Sequence, residues 1–273
     1  MNRLGVLLAA GCMAAIGQAW AVEEEATPSR LTIDVGDAVT FGKFTAQDTT
    51  IDVKTKYANP FGGVELRLAG PFSVGGSYAQ SKNEFDGDWS DGDKDGSGTL
   101  DAKRTDINAY VRIGYRDSVN LRLGYRYFKY EFSDGTIDQF KYGMLTEMDR
   151  HGSAEGEMTT GIDAELNLVF GDEVQFGLGI GATYYPDAKY TWAYDKKEGG
   201  RPWTHEVGSA TVNSYSARIK PEITFKLSDE VRIFVNYTLQ GTMWEGTPDS
   251  ADDQNYPGID IYSAAAAGIR IVL

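Results

Sequence analysis

From Val119 onward apolar and aromatic residues fall on every second position, Val119, Leu121, Leu123, Tyr125 and Tyr127, with Asn120, Arg122, Gly124 and Arg126 between them. A period of two marks a β-strand whose two faces meet different surroundings. The alternation recurs in nine further segments. Four precede this one, with apolar sets Leu31, Ile33, Val35; Val64, Leu66, Leu68; Phe72, Val74, Tyr78; and Ile107, Val111, Ile113. Five follow, with Ile162, Leu166, Leu168, Phe170; Val174, Phe176, Leu178, Ile180; Tyr215, Ile219, Ile223, Phe225; Val231, Ile233, Val235, Tyr237; and Ile259, Ile261, Ile269, Ile271. Each is about the length that crosses a bilayer at a tilt.

The connections alternate too. Short turns at Gly70-Pro71, Arg116-Asp117-Ser118, Gly171-Asp172-Glu173 and Ser228-Asp229-Glu230 separate five long polar segments near 45 to 61, 86 to 102, 133 to 156, 186 to 210 and 245 to 256. Membrane barrels have short periplasmic turns and long extracellular loops, so both chain ends are expected on the periplasmic side. An even strand number lets the first and last strands pair and remove the sheet edge, which lipid cannot satisfy. The expectation is an all-β fold: a closed, antiparallel, ten-stranded transmembrane β-barrel. Tyr78, Tyr125, Tyr127, Tyr184, Tyr215 and Tyr237 fall on the apolar register toward the loop end, as an interfacial girdle would. The chain closes on Gly268-Ile269-Arg270-Ile271-Val272-Leu273, an alternating strand ending in Leu273 rather than an aromatic. Pro221 lacks the donor a paired strand needs, so a bulge or a break is expected in strand eight.

Residues 1–21 have the form of a secretory signal peptide: Asn2-Arg3, an apolar run from Leu4 to Ile16, and the small-x-small site Ala19-Trp20-Ala21. Gly11-Cys12 after two alanines also admits a lipoprotein reading. Cleavage after Ala21 leaves residues 22–273 as one barrel domain without cysteine, destined for a Gram-negative outer membrane. With 41% hydrophobic residues and mean hydropathy of -0.36, averages alone suggest a soluble protein, but alternation hides a greasy face. The net charge of -14 argues against nucleic acid as a partner. Outer-membrane lipid and lipopolysaccharide are the expected surroundings, with the chain acting as a monomer.

Between the apolar positions lie charges of both signs: Glu65, Arg67, Asp106, Arg112, Arg122, Arg126, Asp163, Glu165, Arg218, Lys220, Glu222, Asp260 and Arg270. In so narrow a barrel these side chains would neutralise one another and largely fill the lumen. Gly177, Gly179 and Gly181 in strand seven would make room for them. A narrow small-solute pore is the alternative.

The second polar segment, Asp86 to Asp101, carries two overlapping patterns. Asp93, Asp95, Ser97, Gly98, Thr99 and Asp101 follow the first nine positions of an EF-hand loop and make Ca2+ a candidate ligand, but Arg104 occupies the twelfth position where a bidentate Glu belongs. Asp86-Gly87-Asp88-Trp89 resembles the Asp-x-Asp-Trp element of the omptin family of outer-membrane proteases. The spacing from Gly62 to Phe132 is similar as well. The resemblance implies a ten-stranded barrel in which Asp86 and Asp88 would share acid and base roles on a water, with an Asp-x-His element of the fourth loop, to cut peptides between basic residues. Here Asp195 is followed by Lys196 and Lys197, with no histidine two positions on; the fourth loop offers His205 and the third His151.

Loop aromatics Trp89, Trp192, Trp203, Trp244, Tyr190 and Tyr194 are candidates for a binding rim for an extracellular ligand or protein, or for interfacial anchors. No phosphate-cradling loop, zinc spacing or nucleophile elbow is present. The sequence therefore points to a noncatalytic surface-interaction or envelope-structural protein, with divalent cations bridging the acidic second loop to lipopolysaccharide, and with an omptin-like endopeptidase as the alternative.

Overall fold

An alternating strand satisfies its backbone only beside another strand. In the computed structural model, which describes residues 30–46, 49–55, 59–68, 70–91, 94–115, 118–141, 148–198, 202, 204–244 and 258–273, every alternating segment finds antiparallel neighbours. The elements are β1 (Leu31–Ala46), β2 (Thr49–Thr55), β3 (Asn59–Arg67), β4 (Phe72–Asp91), β5 (Lys94–Tyr115), β6 (Val119–Lys141), β7 (Met148–Phe170), β8 (Val174–Glu198), β9 (Thr204–Lys226), β10 (Val231–Trp244) and β11 (Gly258–Val272). β1 pairs with both β2 and β3, and β4 pairs with both in turn, so β2 and β3 are two halves of the second barrel strand. The eleven elements thus form ten barrel strands.

The cylinder closes between β1 and β11, in register from Thr32↔Val272 to Thr45↔Ile259. At the seam Leu31 N donates to Leu273 O at 3.0 Å, and Leu273 N donates to Leu31 O at 2.8 Å. Leu273 completes the seam with its backbone, a role that does not require the usual terminal aromatic.

The outward faces carry the apolar residues that the alternation assigns to lipid. Ile162, Phe170 and Tyr125 are 61%, 60% and 62% exposed, and no expected lipid-facing residue with a described side chain is buried. A continuous apolar belt of this kind is not sustained in water. At its upper edge Tyr184 and Tyr215 stack with ring centroids 5.0 Å apart.

At the opposite end the turns are tight. Gly70 and Gly171 adopt φ of 66° and 93°, the left-handed region that glycine enters without penalty. In the last turn Ser228 Oγ accepts from the backbone N–H groups of Glu230 and Val231 at 3.2 and 3.1 Å. Lys226 pairs there with Asp229 at 2.6 Å and holds its carboxyl below the usual value.

One expectation changes. Four of the five long polar segments are for most of their length continuations of the strands, the fifth, 245–256, lying outside the described residues: β8 has 25 residues, roughly 80 Å of extended chain, whereas about 9–11 residues cross a bilayer. The extracellular half is therefore a second storey of barrel wall. Of the two outcomes expected at Pro221 the break is found: the β9–β10 ladder lapses between Asn236↔Glu222 and Leu239↔Ile219 with the same register on both sides, a gap without a bulge. The candidate signal peptide, Cys12 and all of residues 1–29 lie outside the described residues.

Candidate functional site: a closed lumen below an aromatic storey

Inward positions of the membrane band build stacked ionic layers. Nearest the periplasm, Glu65 accepts from Arg112 at 2.6 Å, from Tyr110 at 3.0 Å and from Arg122 at 3.5 Å. Arg270 lies between Asp34 at 2.8 Å and Glu222 at 3.1 Å, with Lys220 3.9 Å from Glu222. Above these, Arg218 spans Glu165 at 2.7 Å and both oxygens of Asp163 at 2.6 and 2.8 Å, while Thr183 donates to Asp163 at 2.5 Å. Arg126 pairs with Asp106 through both Nε and Nη2.

A third level shuts the passage. Arg104 is sandwiched between Phe128, 4.3 Å from its ring centroid, and Tyr262, at 3.7 Å. Its guanidinium also donates to Asp106 at 3.3 Å and Gln240 at 3.5 Å. Phe128 and Tyr185 are each 1% exposed and meet with centroids 6.5 Å apart. On the facing wall Asn59 donates to Thr40, which donates to Asn83 at 2.5 Å. The cavity beneath, of about 480 Å³, runs from Arg30 and Val272 up to Arg104, Gln240 and Tyr262. Its lining holds ten Arg and Lys against five Asp and Glu, or six carboxylates once Asp163, bonded to Arg218, is included. The lumen of this acidic chain is thus positive by four, from ten minus six.

Most of the expected lumen charges are in this network. Arg67 lines the cavity, and Asp260 falls on the inward register opposite Thr242, its side chain not described. Gly181 makes room as expected: a Cβ there would come within 2.7 Å of the Arg218 guanidinium. The sequence reading missed Asp34, Arg104, Phe128, Tyr185, Gln240 and Tyr262. Parity alone would have found Arg104, two residues from Asp106. Phe128 and Tyr185 lie on the inward parity of Arg126 and Thr183 but, as aromatics following Tyr127 and Tyr184, do not stand out from the apolar set; the register shifts fall beside them, on β7 next to Phe128 and on β8 after Tyr185, where Asp187 has φ of 52°.

Above that level the strands continue and their backbone register can be followed. Row by row, Phe132 pairs with Ala154, Ala154 with Trp192 and Trp192 with Gly208; one row lower, Tyr130 pairs with Gly156, Gly156 with Tyr190 and Tyr190 with Ala210. Both rows fall on the inward register: buried Arg104 pairs with Tyr130, and Ala102, its neighbour on that face, pairs with Phe132. In sequence, large aromatics on these backbone rows alternate with Gly and Ala, and Tyr194, Trp89 and Trp244 fall on the same backbone register. The side chains of Trp89, Trp192, Trp244, Tyr190 and Tyr194, and the whole of Trp203, lie outside the described residues. The outward register carries Asp52, Lys54, Glu84, Asp86 and Asp101. On this face Lys103 and Lys129 grip Glu131 at 2.9 and 3.2 Å, and their hydrogen bonds hold its carboxyl below the ordinary 4.5.

The backbone places the candidate catalytic residues on separate strands: Asp86 and Asp88 in β4 and His205, which is exposed, in β9, the third and eighth strands of ten, five apart either way round the wall. The side chains of Asp86 and Asp88 lie outside the described residues. Of the EF-hand pattern, Asp95, Ser97, Thr99 and Asp101 belong to extended strand β5, roughly 20 Å of backbone from first to last, and only the Asp101 side chain is described. A calcium loop wraps its ligands around one ion, and Asp93 lies outside the described residues. Among the described residues no group of three or more His, Cys, Asp or Glu is gathered to hold a metal ion.

No protein-family model matches the sequence, and no curated protein matches it. Among solved structures, the outer membrane protease OmpT from Escherichia coli is similar with a TM-score of 0.55 at 14% identity, covering 92% of this chain and 99% of that one. The translocator domain of autotransporter NalP from Neisseria meningitidis gives 0.45 at 12% identity over 97% and 96%. Ail, the attachment invasion locus protein of Yersinia pestis, gives 0.32 at 13% over 90% and 100%. At such identities the likeness shows the fold, a closed antiparallel barrel like those of bacterial outer-membrane proteins.

Proposed function

We propose that the chain is an integral outer-membrane barrel, exported by residues 1–21, that works at the cell surface as a noncatalytic interaction protein. Its lower half is a membrane anchor with a salt-bridged interior. Its upper half is a cup whose aromatic interior takes an apolar or aromatic group of an extracellular ligand. The observation that supports this reading is the backbone pairing of two aromatic-rich rows, Phe132–Ala154–Trp192–Gly208 and Tyr130–Gly156–Tyr190–Ala210, on the register of buried Arg104. Aromatic faces above a sealed floor give binding area without a route through the membrane.

The test is titration of the refolded barrel with the apolar dye 8-anilinonaphthalene sulfonate, following dye emission and tryptophan quenching. Saturable binding near one dye per chain, lost in Trp192→Ala and Tyr190→Ala, supports a cup. No saturable binding means that the aromatics pack on one another as a structural core.

The omptin resemblance in fold comes without an Asp-x-His element in the fourth loop, and β4, with Asp86 and Asp88, stands five strands from β9, with His205. Refolded protein in lipopolysaccharide-containing detergent is accordingly expected to leave dibasic peptides uncut, and turnover abolished by Asp88→Ala would restore the protease reading.

A further inference from the structure

Of the ten Arg and Lys that line the lumen cavity, Arg104, Arg126 and Arg218 balance Asp106, Asp163 and Glu165 in the upper layers. Ten minus three leaves seven cations below them, against the carboxylates of Asp34, Glu65 and Glu222, and seven minus three leaves four. The whole positive surplus of the lumen therefore lies in its periplasmic half. Like charges gathered inside a wall that faces lipid are poorly screened, so a surplus of this size calls for an anion.

Hydrogen-bond donors in the same half call for one too. Arg122 Nε, Asn167 Nδ2 and Arg232 Nε are buried with no hydrogen-bond partner among the described residues. The Lys220 ammonium is 3.9 Å from Glu222, beyond hydrogen-bond length. All four side chains line the cavity. Asn167 in β7 pairs with Gly179 in β8, which pairs with Lys220 in β9, so Asn167 and Lys220 stand roughly two strand spacings, about 10 Å, apart across a residue without a side chain. A Cβ on Gly179 would come within 2.9 Å of Asn167 Oδ1 and 3.5 Å of Lys220 Cβ, so both side chains rise beside that gap. Arg122 is one inward position from Asn120, the partner of Asn167 on β6, and stands directly opposite Arg112. Exposed Arg30 lines the lower end of the same cavity, which gives solutes access without passing the Arg104 level.

We propose that the lower lumen binds a small multivalent oxyanion of the phosphate class, taken from the periplasm and held by Arg122, Asn167 and Lys220, with Arg232 nearer the mouth. A tetrahedral dianion carries acceptors on every side, which suits donors arriving from β6, β7, β9 and β10. Guanidinium and ammonium groups are the side chains that bind such oxygens most strongly. Two negative charges offset half of the surplus of four. A cavity of about 480 Å³ holds the ion together with water bridging it to the wall. Because only the folded barrel assembles these donors, the anion stabilises it by linkage. The site is separate from the cup, which lies on the other side of the Arg104 level.

Refolded barrel titrated with inorganic phosphate, against chloride at equal ionic strength, tests the assignment. Calorimetry is expected to show one saturable phosphate per chain, displaced by sulfate, and the urea midpoint is expected to rise with phosphate but not with chloride. Lys220→Met and Asn167→Leu are each expected to weaken phosphate binding tenfold or more, and Lys82→Ala, on the outer face, to leave it unchanged. In phosphate-free buffer Lys220→Met is expected to raise the urea midpoint, because it removes one of four surplus like charges. A barrel that binds no saturable phosphate, that responds equally to chloride, or that binds phosphate as well in both Lys220→Met and Asn167→Leu as in the wild type overturns the proposal, and water with diffuse ions then serves these donors.

Discussion

Arg218 in β9 reaches across Gly181 of β8 to Asp163 in β7, its Nη1 and Nη2 lying 2.6 and 2.8 Å from the two carboxylate oxygens. The pair is almost fully buried, with side chains 6% and 2% exposed. A charge left alone there has neither water nor partner. Arg218→Met is therefore expected to destabilise the barrel by about 3–5 kcal/mol, since Asp163 loses its counter-ion and Glu165 keeps only the longer contact with Arg122, at 3.4 Å. Urea unfolding in lipid vesicles measures it, and the double change with Asp163→Asn should cost less than the sum of the singles. A loss below about 1 kcal/mol would mean that water reaches this layer.

Arg104, held between Phe128 and Tyr262, lines the upper end of the cavity. The wild-type chain is expected to show little steady conductance in planar bilayers. Arg104→Ala combined with Phe128→Ala is expected to open a path, anion-selective because ten cationic side chains line or border it against six carboxylates. A large wild-type conductance would instead support the small-solute pore.

Closure at the seam depends on Gly268. A Cβ there would meet the backbone carbonyl of Val35 in β1 and come within 2.7 Å of the Phe234 ring, whereas a Cβ on Gly241 meets nothing within 4 Å. Gly268→Ala is expected to lower the yield of the heat-modifiable folded band on gels, and Gly241→Ala to leave it unchanged. Equal yields would show that the seam yields easily.

Glu131 sits on the outer face of the extracellular half, its carboxyl held below 4.5 by hydrogen bonds from Lys103 and Lys129. A depressed carboxyl contributes stability above its unfolded pKa, and that contribution is lost as pH falls through the folded value. Because the pair is exposed, the gain is small. NMR titration of labelled Glu131 should place its midpoint under 4.5, moving upward in Lys103→Ala; an unmoved midpoint would sever the link.

Much of this architecture was legible because lipid imposes a strict rule on each strand. Leu121, Leu123 and Tyr125 had to alternate with Arg122 and Gly124, so strand number, register face and lumen charges could be read directly. The extracellular half was not legible for the converse reason. There Lys82 is exposed while Ser81 and Asn83 are buried, so polar residues stand on both faces and polar segments looked like loops. Phe128 and Tyr185 follow Tyr127 and Tyr184 and were hidden because apolar side chains on the inward parity look like lipid-facing ones.

The proposed reversal of polarity along one strand is the feature on which the cup and the sealed anchor both depend, and β8 tests it most directly. Single spin labels placed along it, in otherwise cysteine-free protein in lipid vesicles, report collisions with oxygen in lipid and with a nickel chelate in water. Labels at Phe176, Ile180 and Tyr184 are expected to meet oxygen, those at Thr191, Ala193 and Lys197 the chelate, and those at Tyr190, Trp192 and Tyr194 to be shielded from both. Oxygen contact at Tyr190, Trp192 and Tyr194, or chelate contact equal at all six upper positions, would contradict the inward aromatic storey.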